Sequence, residues 1–178
     1  MKLISKQLAL AAAALGTTVL AGCASMSAGP SAQADLKPTQ GNAANGWARF
    51  EQRDGKVLVT AEVRGLKPNA EHGFHVHEKG DCSAPDATSA GGHFNPGVKP
   101  HAHYSEGASH AGDMPNLKAD ANGVAKFSYT SQTLSAASGV GNSVVGRAVV
   151  VHRDPDDYKT QPAGNSGPRI ACGVIAAN

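Results

Sequence analysis

The segment Gly73-Phe74-His75-Val76-His77 places two histidines two residues apart. Alternate side chains share one face of a β-strand, so the imidazoles of His75 and His77 can reach a single metal ion if this segment is extended. Turn residues precede the segment, and a long stretch rich in Gly, Pro, Ser and Asp follows it. The sequence therefore predicts a strand over residues 72–77 that carries part of a metal site.

Further candidate ligands lie downstream of this strand, and all eight histidines of the chain fall between positions 72 and 152. The candidates are His93, His101, His110, Asp113 and His152. Several imidazoles with one carboxylate, and no thiolate close by, suit zinc and copper better than calcium or an iron–sulfur cluster.

Strand and turn signals alternate through the rest of the chain, and the 21 glycines and 10 prolines favour turns and loops. We expect strands over 57–63, 123–130, 144–152 and 170–175, with long loops over 77–113 and 154–169. No segment after the N-terminal region has sustained helical periodicity. This pattern predicts an antiparallel β-sandwich or barrel whose two long loops are functional.

The N-terminal segment, residues 1–22, has the pattern of a signal peptide. Lys2 and Lys6 precede the apolar stretch Leu8–Leu20, which is shorter than the roughly 20 residues that a transmembrane helix needs. Small residues then lead to Cys23, which resembles a bacterial lipoprotein processing site with Cys23 as the lipidated residue. An ordinary secretory signal with a cysteine there by chance is the alternative.

Residues 23–42 are rich in Ala, Ser, Gly, Gln and Pro without periodicity, and this composition predicts a flexible tether. The folded domain is then expected over residues 43–178. Removing residues 1–22 reduces the 16 lysines and arginines to 14, which balances the 14 acidic residues. A neutral mature chain does not favour a nucleic-acid partner.

Cys82 and Cys172 remain once Cys23 is assigned to lipid. In an exported, oxidising environment a disulfide between them is the expected state. Two free thiols or two metal ligands are the alternatives.

These segments together resemble the exported bacterial branch of the copper–zinc superoxide dismutase family. The similar pieces occur in the family's order over about residues 45–175: Gly73–Glu78, Gly80–Cys82, Gly92–Pro96, His101, His110–Asp113, Gly146–His152 and Gly164–Gly173. The resemblance implies an all-β, eight-stranded antiparallel Greek-key barrel of immunoglobulin-like type. It also implies dismutation of superoxide to dioxygen and hydrogen peroxide, with one copper and one zinc ion per chain.

The resemblance further implies the roles of individual residues. His75, His77, His93 and His152 would hold copper, and His93, His101, His110 and Asp113 would hold a structural zinc, with His93 as the bridging imidazolate. Arg169 would attract the anion, and Asp156 would accept hydrogen bonds from His75 and His101. His72 would donate a hydrogen bond to the backbone. His103 is the alternative to His101 as a zinc ligand, but the spacing from His93 and to His110 favours His101. Ala163 stands where many members have threonine beside the channel.

Three functions can be compared on this basis. A dismutase in antioxidant defence is favoured over a lipoprotein that buffers copper and zinc, because buffering needs no Arg169. It is also favoured over a structural module, because a structural module would lack some of the metal ligands and none is missing. The lipoprotein pattern implies a periplasmic protein anchored to a membrane. The outer membrane is favoured because alanine, and not aspartate, follows Cys23. A homodimer is compatible with the resemblance, but no residue decides between a monomer and a homodimer.

Overall fold

The computed structural model describes residues 29–178, which form ten β-strands and one short 3-10 helix, Thr88–Ala90. The strands are β1 (Ser31–Pro38), β2 (Asn45–Arg53), β3 (Lys56–Arg64), β4 (Glu71–His72), β5 (Phe74–His77), β6 (Leu117–Lys118), β7 (Ala125–Ser131), β8 (Ala148–His152), β9 (Arg169–Val174) and β10 (Ala176–Ala177). Within this range no helix is long and apolar enough to cross a membrane.

Eight strands form one antiparallel sheet in the order β5-β8-β9-β1-β2-β3-β7, with β10 beside β1, and β4 and β6 form a separate pair. Strands β1, β2 and β3 follow one another along the chain, and β9 returns to lie beside β1. This spatial order is that of a Greek key. The predicted all-β, antiparallel fold class is confirmed.

The prediction of a flexible tether over residues 23–42 is wrong for residues 31–38, which form β1. Ala32, Ala34 and Leu36 alternate with polar residues and are almost fully buried. The strand pairs with β2 along most of its length and with β9 at its end. Because two of the three buried side chains are alanine, the alternation produces only a weak hydrophobic signal. The predicted signal peptide and Cys23 lie outside the described residues.

The strand predicted over 144–152 is shorter in the structure, because residues 144–147 form a turn. The Arg147 amide donates to the Val144 carbonyl at 3.0 Å, and Gly146 adopts the left-handed conformation with φ +78°. Strand β8 begins only at Ala148. The apolar run conceals this turn, and Gly146 is its only local signal.

The two faces of the β5-β8-β9 part of the sheet have different roles. On the inner face, Phe74, Val76, Val149 and Val151 join the main apolar core. On the outer face, Ala148, Val150 and Cys172 form a second, smaller cluster with Ala87 and Ala90 of the first long loop. The loop is therefore packed onto the sheet beside the histidines of β5.

Candidate metal centre

Strand β5 carries the first two candidate ligands on one face. Its four residues are all buried, with Phe74 and Val76 in the main core and His75 and His77 on the opposite face. Antiparallel pairing with β8 brings His152 alongside, because the His152 amide donates to the Gly73 carbonyl at 2.8 Å. Three histidines from two neighbouring strands thus lie at one end of the barrel wall.

The other edge of β5 is paired with segments of the first long loop. The Val76 amide donates to Gly112 at 3.0 Å, and the Phe94 amide donates to the Val76 carbonyl at 2.8 Å. His93 and Asp113, which adjoin these contacts, form isolated bridges with His77 and His75 respectively. This pairing explains how a loop without regular structure holds ligands in place. The loop segments are held in position by hydrogen bonds to the backbone of β5.

Two groups of potential ligands result, and they share one residue. In each group, one nitrogen or oxygen atom per residue lies within 4.8 Å of every other, and every residue is buried. The first group is His75, His77, His93 and His152, and the second is His93, His101, His110 and Asp113. All seven predicted ligands are therefore brought together.

The hydrogen bonds of the first group leave one nitrogen of each ring facing its centre. His77 Nδ1 donates to the Gly91 carbonyl at 2.9 Å, and His152 Nδ1 donates to the Gly167 carbonyl at 3.1 Å. Their Nε2 atoms face each other at 3.3 Å. His75 Nδ1 and His93 Nε2 are buried without any hydrogen-bond partner. Four inward nitrogens, two of them unpartnered, fit a copper ion.

The second group surrounds Asp113. Its carboxylate accepts a hydrogen bond from His93 Nδ1 at 2.8 Å and lies 3.2 Å from both His101 Nδ1 and His110 Nδ1. Three imidazole nitrogens and one carboxylate oxygen are a donor set that zinc accepts in a closed tetrahedral site. The residues therefore fit a zinc ion.

Asp156 connects the two groups as the resemblance implies. One carboxylate oxygen accepts from His75 Nε2 at 2.8 Å, and the other accepts from His101 Nε2 at 2.9 Å. A carboxylate on the outer nitrogen fixes the tautomer and orientation of a ligating histidine. The backbone amide of Asp156 is in turn held by Asn116 Oδ1 at 2.9 Å.

Burial keeps His77, His93 and His152 of the first group neutral. Desolvation, followed by repulsion from His75, lowers the pKa of His93 to about 3. Desolvation and neighbouring imidazoles also hold the pKa values of His77 and His152 well below their usual range. Neutral imidazoles bind metal without first losing a proton, so at neutral pH these rings are ready to act as ligands.

The second group has the opposite electrostatics. Burial disfavours a charged His101, but the carboxylates of Asp113 and Asp156 outweigh this effect and raise its pKa to about 9. Burial likewise disfavours the charged carboxylate of Asp113, yet its contacts with His101, His110 and His93 hold its pKa well below the usual range. In the zinc group an ionised Asp113 thus holds a proton on His101, and a bound metal ion would displace that proton.

Arg169 lies at the start of β9 and contacts the loop that also holds His77. Its guanidinium donates to the carbonyls of Ala87 and Gly91, the latter at 2.6 Å. The Gly91 carbonyl is the same atom that accepts from His77. Arg169 is only partly buried, so a cationic side chain is fixed one carbonyl away from a candidate copper ligand and remains accessible to an anion.

Two further histidines lie outside both groups. His72 is buried, and its Nδ1 donates to the backbone carbonyl of His152 at 3.0 Å. His103 contacts Ser105 Oγ at 2.8 Å through Nδ1, and its ring lies on Tyr104 with the centroids 4.1 Å apart. The structure thus places His101, and not His103, in the zinc group.

The predicted disulfide between Cys82 and Cys172 is present, with the Cα atoms 5.8 Å apart. It joins the first long loop to β9, three residues from Arg169. The loop is consequently fixed at three places: the disulfide, the guanidinium of Arg169 and the edge of β5.

Sequence reasoning assigned no role to two residues of the second long loop that support the site. The side-chain amide of Gln161 contacts the backbone of His101, and Gly164 lies against the Asp156 carboxylate. The glycine is visible in the sequence, but the Gln161 contact spans 60 positions and depends on folding.

The fold and the site define a Greek-key β-barrel with two adjacent metal sites that share one histidine. Residues 44–175 match the family described as copper/zinc superoxide dismutase (SODC). Superoxide dismutase Cu-Zn 2 of Aquifex aeolicus is 42% identical over 164 residues, covering 90% of this chain and 95% of its own length. The Cu-Zn enzyme of Deinococcus radiodurans is 38% identical, with coverage of 92% and 93%.

Solved structures show the same likeness. A SOD-like protein from Bacillus subtilis, determined as a double mutant, is 37% identical with a TM-score of 0.73, covering 81% of this chain and 96% of its own. The clock protein EA4 is 39% identical with a TM-score of 0.74, covering 82% and 93%. The chain belongs to the copper/zinc superoxide dismutase family. It is an oxidoreductase that dismutes superoxide and takes one copper and one zinc.

Proposed function

We propose that His75, His77, His93 and His152 hold the copper of this dismutase, and that His93, His101, His110 and Asp113 hold its zinc. The observation that carries this assignment is the set of inward nitrogens. Each copper-group ring bonds outward through one nitrogen, except His93, whose two nitrogens face the two groups. A ring with both nitrogens directed at metal sites is what a bridging ligand requires.

Bound copper would supply the one-electron redox chemistry that dismutation needs. His93 can hold and release a proton at Nε2, which is buried and has no protein partner. In the metal-free protein, Asp113 orients the ring by accepting a hydrogen bond from Nδ1. His93 and Arg169 are thus the catalytic residues: His93 for the proton at Nε2 and Arg169 for the superoxide anion.

Arg169 attracts and orients the anion because its guanidinium is charged and fixed by two carbonyls beside His77. The mature chain has no net charge with neutral histidines, so attraction has to come from local charges. A copper- and zinc-buffering protein would have no use for this arginine. We therefore place the buffering lipoprotein second.

The ligand assignment is tested by counting metals in matched variants. His77→Ala should lose copper and keep zinc, and His101→Ala should lose zinc and keep copper. His103→Ala is the control, because this ring lies two residues from His101 but outside both groups. Zinc loss from His103→Ala, with zinc retained in His101→Ala, would overturn the assignment.

We also propose that the mature protein begins at Cys23, carries lipid there, and faces the periplasm from the outer membrane. Support comes from residues 1–24 alone. In a bacterial host, Cys23→Ser should move the protein from the membrane fraction to the soluble periplasmic fraction. Detection of the wild-type protein as a soluble, unlipidated species would contradict the anchor.

A homodimer is tested separately by measuring the mass of residues 29–178 in solution.

A further inference from the structure

Gln161 contacts the backbone of a zinc-group histidine at two points. Its side-chain Oε1 accepts from the His101 amide at 2.9 Å, and its Nε2 donates to the His101 carbonyl at 2.7 Å. The side-chain amide of Gln161 thus exchanges two hydrogen bonds with the backbone of His101, in the same way that residues of two paired antiparallel strands do. The contact joins the second long loop to the first across 60 positions of sequence.

This contact is separate from the bond that Asp156 makes. Asp156 holds the ring of His101 through Nε2, whereas Gln161 holds the main chain on both sides of the Cα atom. Fixing the ring alone leaves the backbone free to shift, and fixing the backbone alone leaves the ring free to rotate. Together the two contacts determine where His101 Nδ1 lies relative to Asp113.

The surrounding loop holds Gln161 in position. The Gly164 amide donates to the Thr160 carbonyl at 2.7 Å, so residues 160–164 form a closed turn around Gln161. Thr160 is itself held by Asp157, whose carboxylate accepts from the Thr160 amide at 2.8 Å. Gln161 lies at the surface, but its amide group reaches inward to a part-buried backbone.

We propose that Gln161 is a positioning residue that fixes the backbone of His101 and thereby sets the strength of the zinc site. The proposal rests on the assignment of His101 to zinc. It assigns no contact with substrate, so any effect on turnover passes through zinc.

The test compares Gln161→Ala with Gln161→Glu and with the control Gln33→Ala, which removes a half-buried glutamine of β1 that contacts neither metal group. Partners of ligating histidines typically contribute 10–100-fold in metal affinity, and we expect about a tenfold loss of zinc affinity in Gln161→Ala. Gln161→Glu keeps the acceptor for the His101 amide but sets a carboxylate oxygen against the His101 carbonyl, so its zinc affinity should also fall. Copper affinity and the control should not change.

Amide hydrogen exchange in the metal-free protein provides a second readout. The His101 amide should exchange faster in Gln161→Ala, while amides of β2 and β3 remain protected. Unchanged exchange at His101 would overturn the proposal, and so would faster exchange with unaltered zinc affinity. Zinc loss in His101→Ala, measured alongside, shows separately whether the ligand assignment holds. Equal loss of copper and zinc with a general fall in protection would indicate a purely structural role and also overturn it.

Discussion

At the scale of single residues, four of the seven proposed ligands are held from outside so that a defined atom faces inward. The outer partners are a carboxylate for His75 and His101 and backbone carbonyls for His77 and His152. These contacts fix the ring orientation before metal arrives. The site is therefore largely formed by the protein, and metal binding needs little rearrangement of the protein.

Arg169→Ala should lower kcat/KM by about tenfold or more, in the range that local electrostatic attraction contributes, while both metals stay bound. The control is Arg153→Ala, which removes an exposed arginine paired with Asp154. Arg169→Lys should retain part of the rate because it keeps the charge. Stopped-flow measurement of superoxide decay, with metals counted in each variant, checks this. Metal loss in Arg169→Ala would contradict the role in anion attraction.

Zinc affinity should depend on pH through His101. The pKa of this residue in the metal-free protein is raised to about 9, so zinc must displace a proton at lower pH. Affinity should increase about tenfold per pH unit between pH 7 and 8 and level off near pH 9. Calorimetry in two buffers of different ionisation enthalpy measures the released proton. A pH-independent affinity over this range would contradict the prediction.

The ligands could be predicted from the sequence because histidine is chemically distinctive and the spacing of His75 and His77 fits a strand. Gln161 could not, since a side chain that binds a backbone 60 residues away leaves no local pattern. The choice of His101 over His103 required the family's spacing, because both are histidines of the same loop.

At the scale of elements, the loops depend on glycines that allow close approach. A Cβ atom at Gly164 would lie 1.7 Å from Asp156 Oδ1 and 2.7 Å from His101 Nε2. The second long loop can therefore cover the Asp156–His101 hydrogen bond only because this residue has no side chain. The backbone there is also left-handed, with φ +64°.

Gly164→Ala should destabilise the protein by about 3 kcal/mol or more, from left-handed strain plus overpacking. Gly139→Ala is a matched control, because Gly139 has φ +77° and no atom lies within 4 Å of the position that its Cβ would occupy. Gly139→Ala should lower the free energy of unfolding only through the left-handed strain, by about 1–2 kcal/mol. Urea unfolding of both variants in the metal-free state separates the two contributions. Equal losses of unfolding free energy in the two variants would show that the close approach of residue 164 to Asp156 does not affect stability.

Strands with strong β-branched patterns, such as β3, could be predicted, whereas β1 could not. In β1 the buried face is made of Ala32, Ala34 and Leu36, and the flanking composition is that of a linker. Pairing with β2 and β9 decides its structure, and these contacts are not local. The turn at Gly146 is hidden for a related reason, because the apolar residues around it continue into β8.

At the scale of the whole molecule, one disulfide closes a loop of 90 residues that contains most of the ligands. A cross-link over this separation is worth about 4–5 kcal/mol in the chain-entropy account. Replacing Cys82 and Cys172 with alanine should reduce the free energy of unfolding of the metal-free protein by about this amount. A loss below about 1 kcal/mol in urea unfolding would show that the reduced chain retains the loop structure by other contacts.

This chain dismutes superoxide with one copper and one zinc. The most direct test measures superoxide decay by the purified protein, with both metals counted in the same sample. We expect one copper and one zinc per chain with fast, cyanide-sensitive turnover. Both metals bound without turnover would contradict it and would favour the metal-buffering lipoprotein.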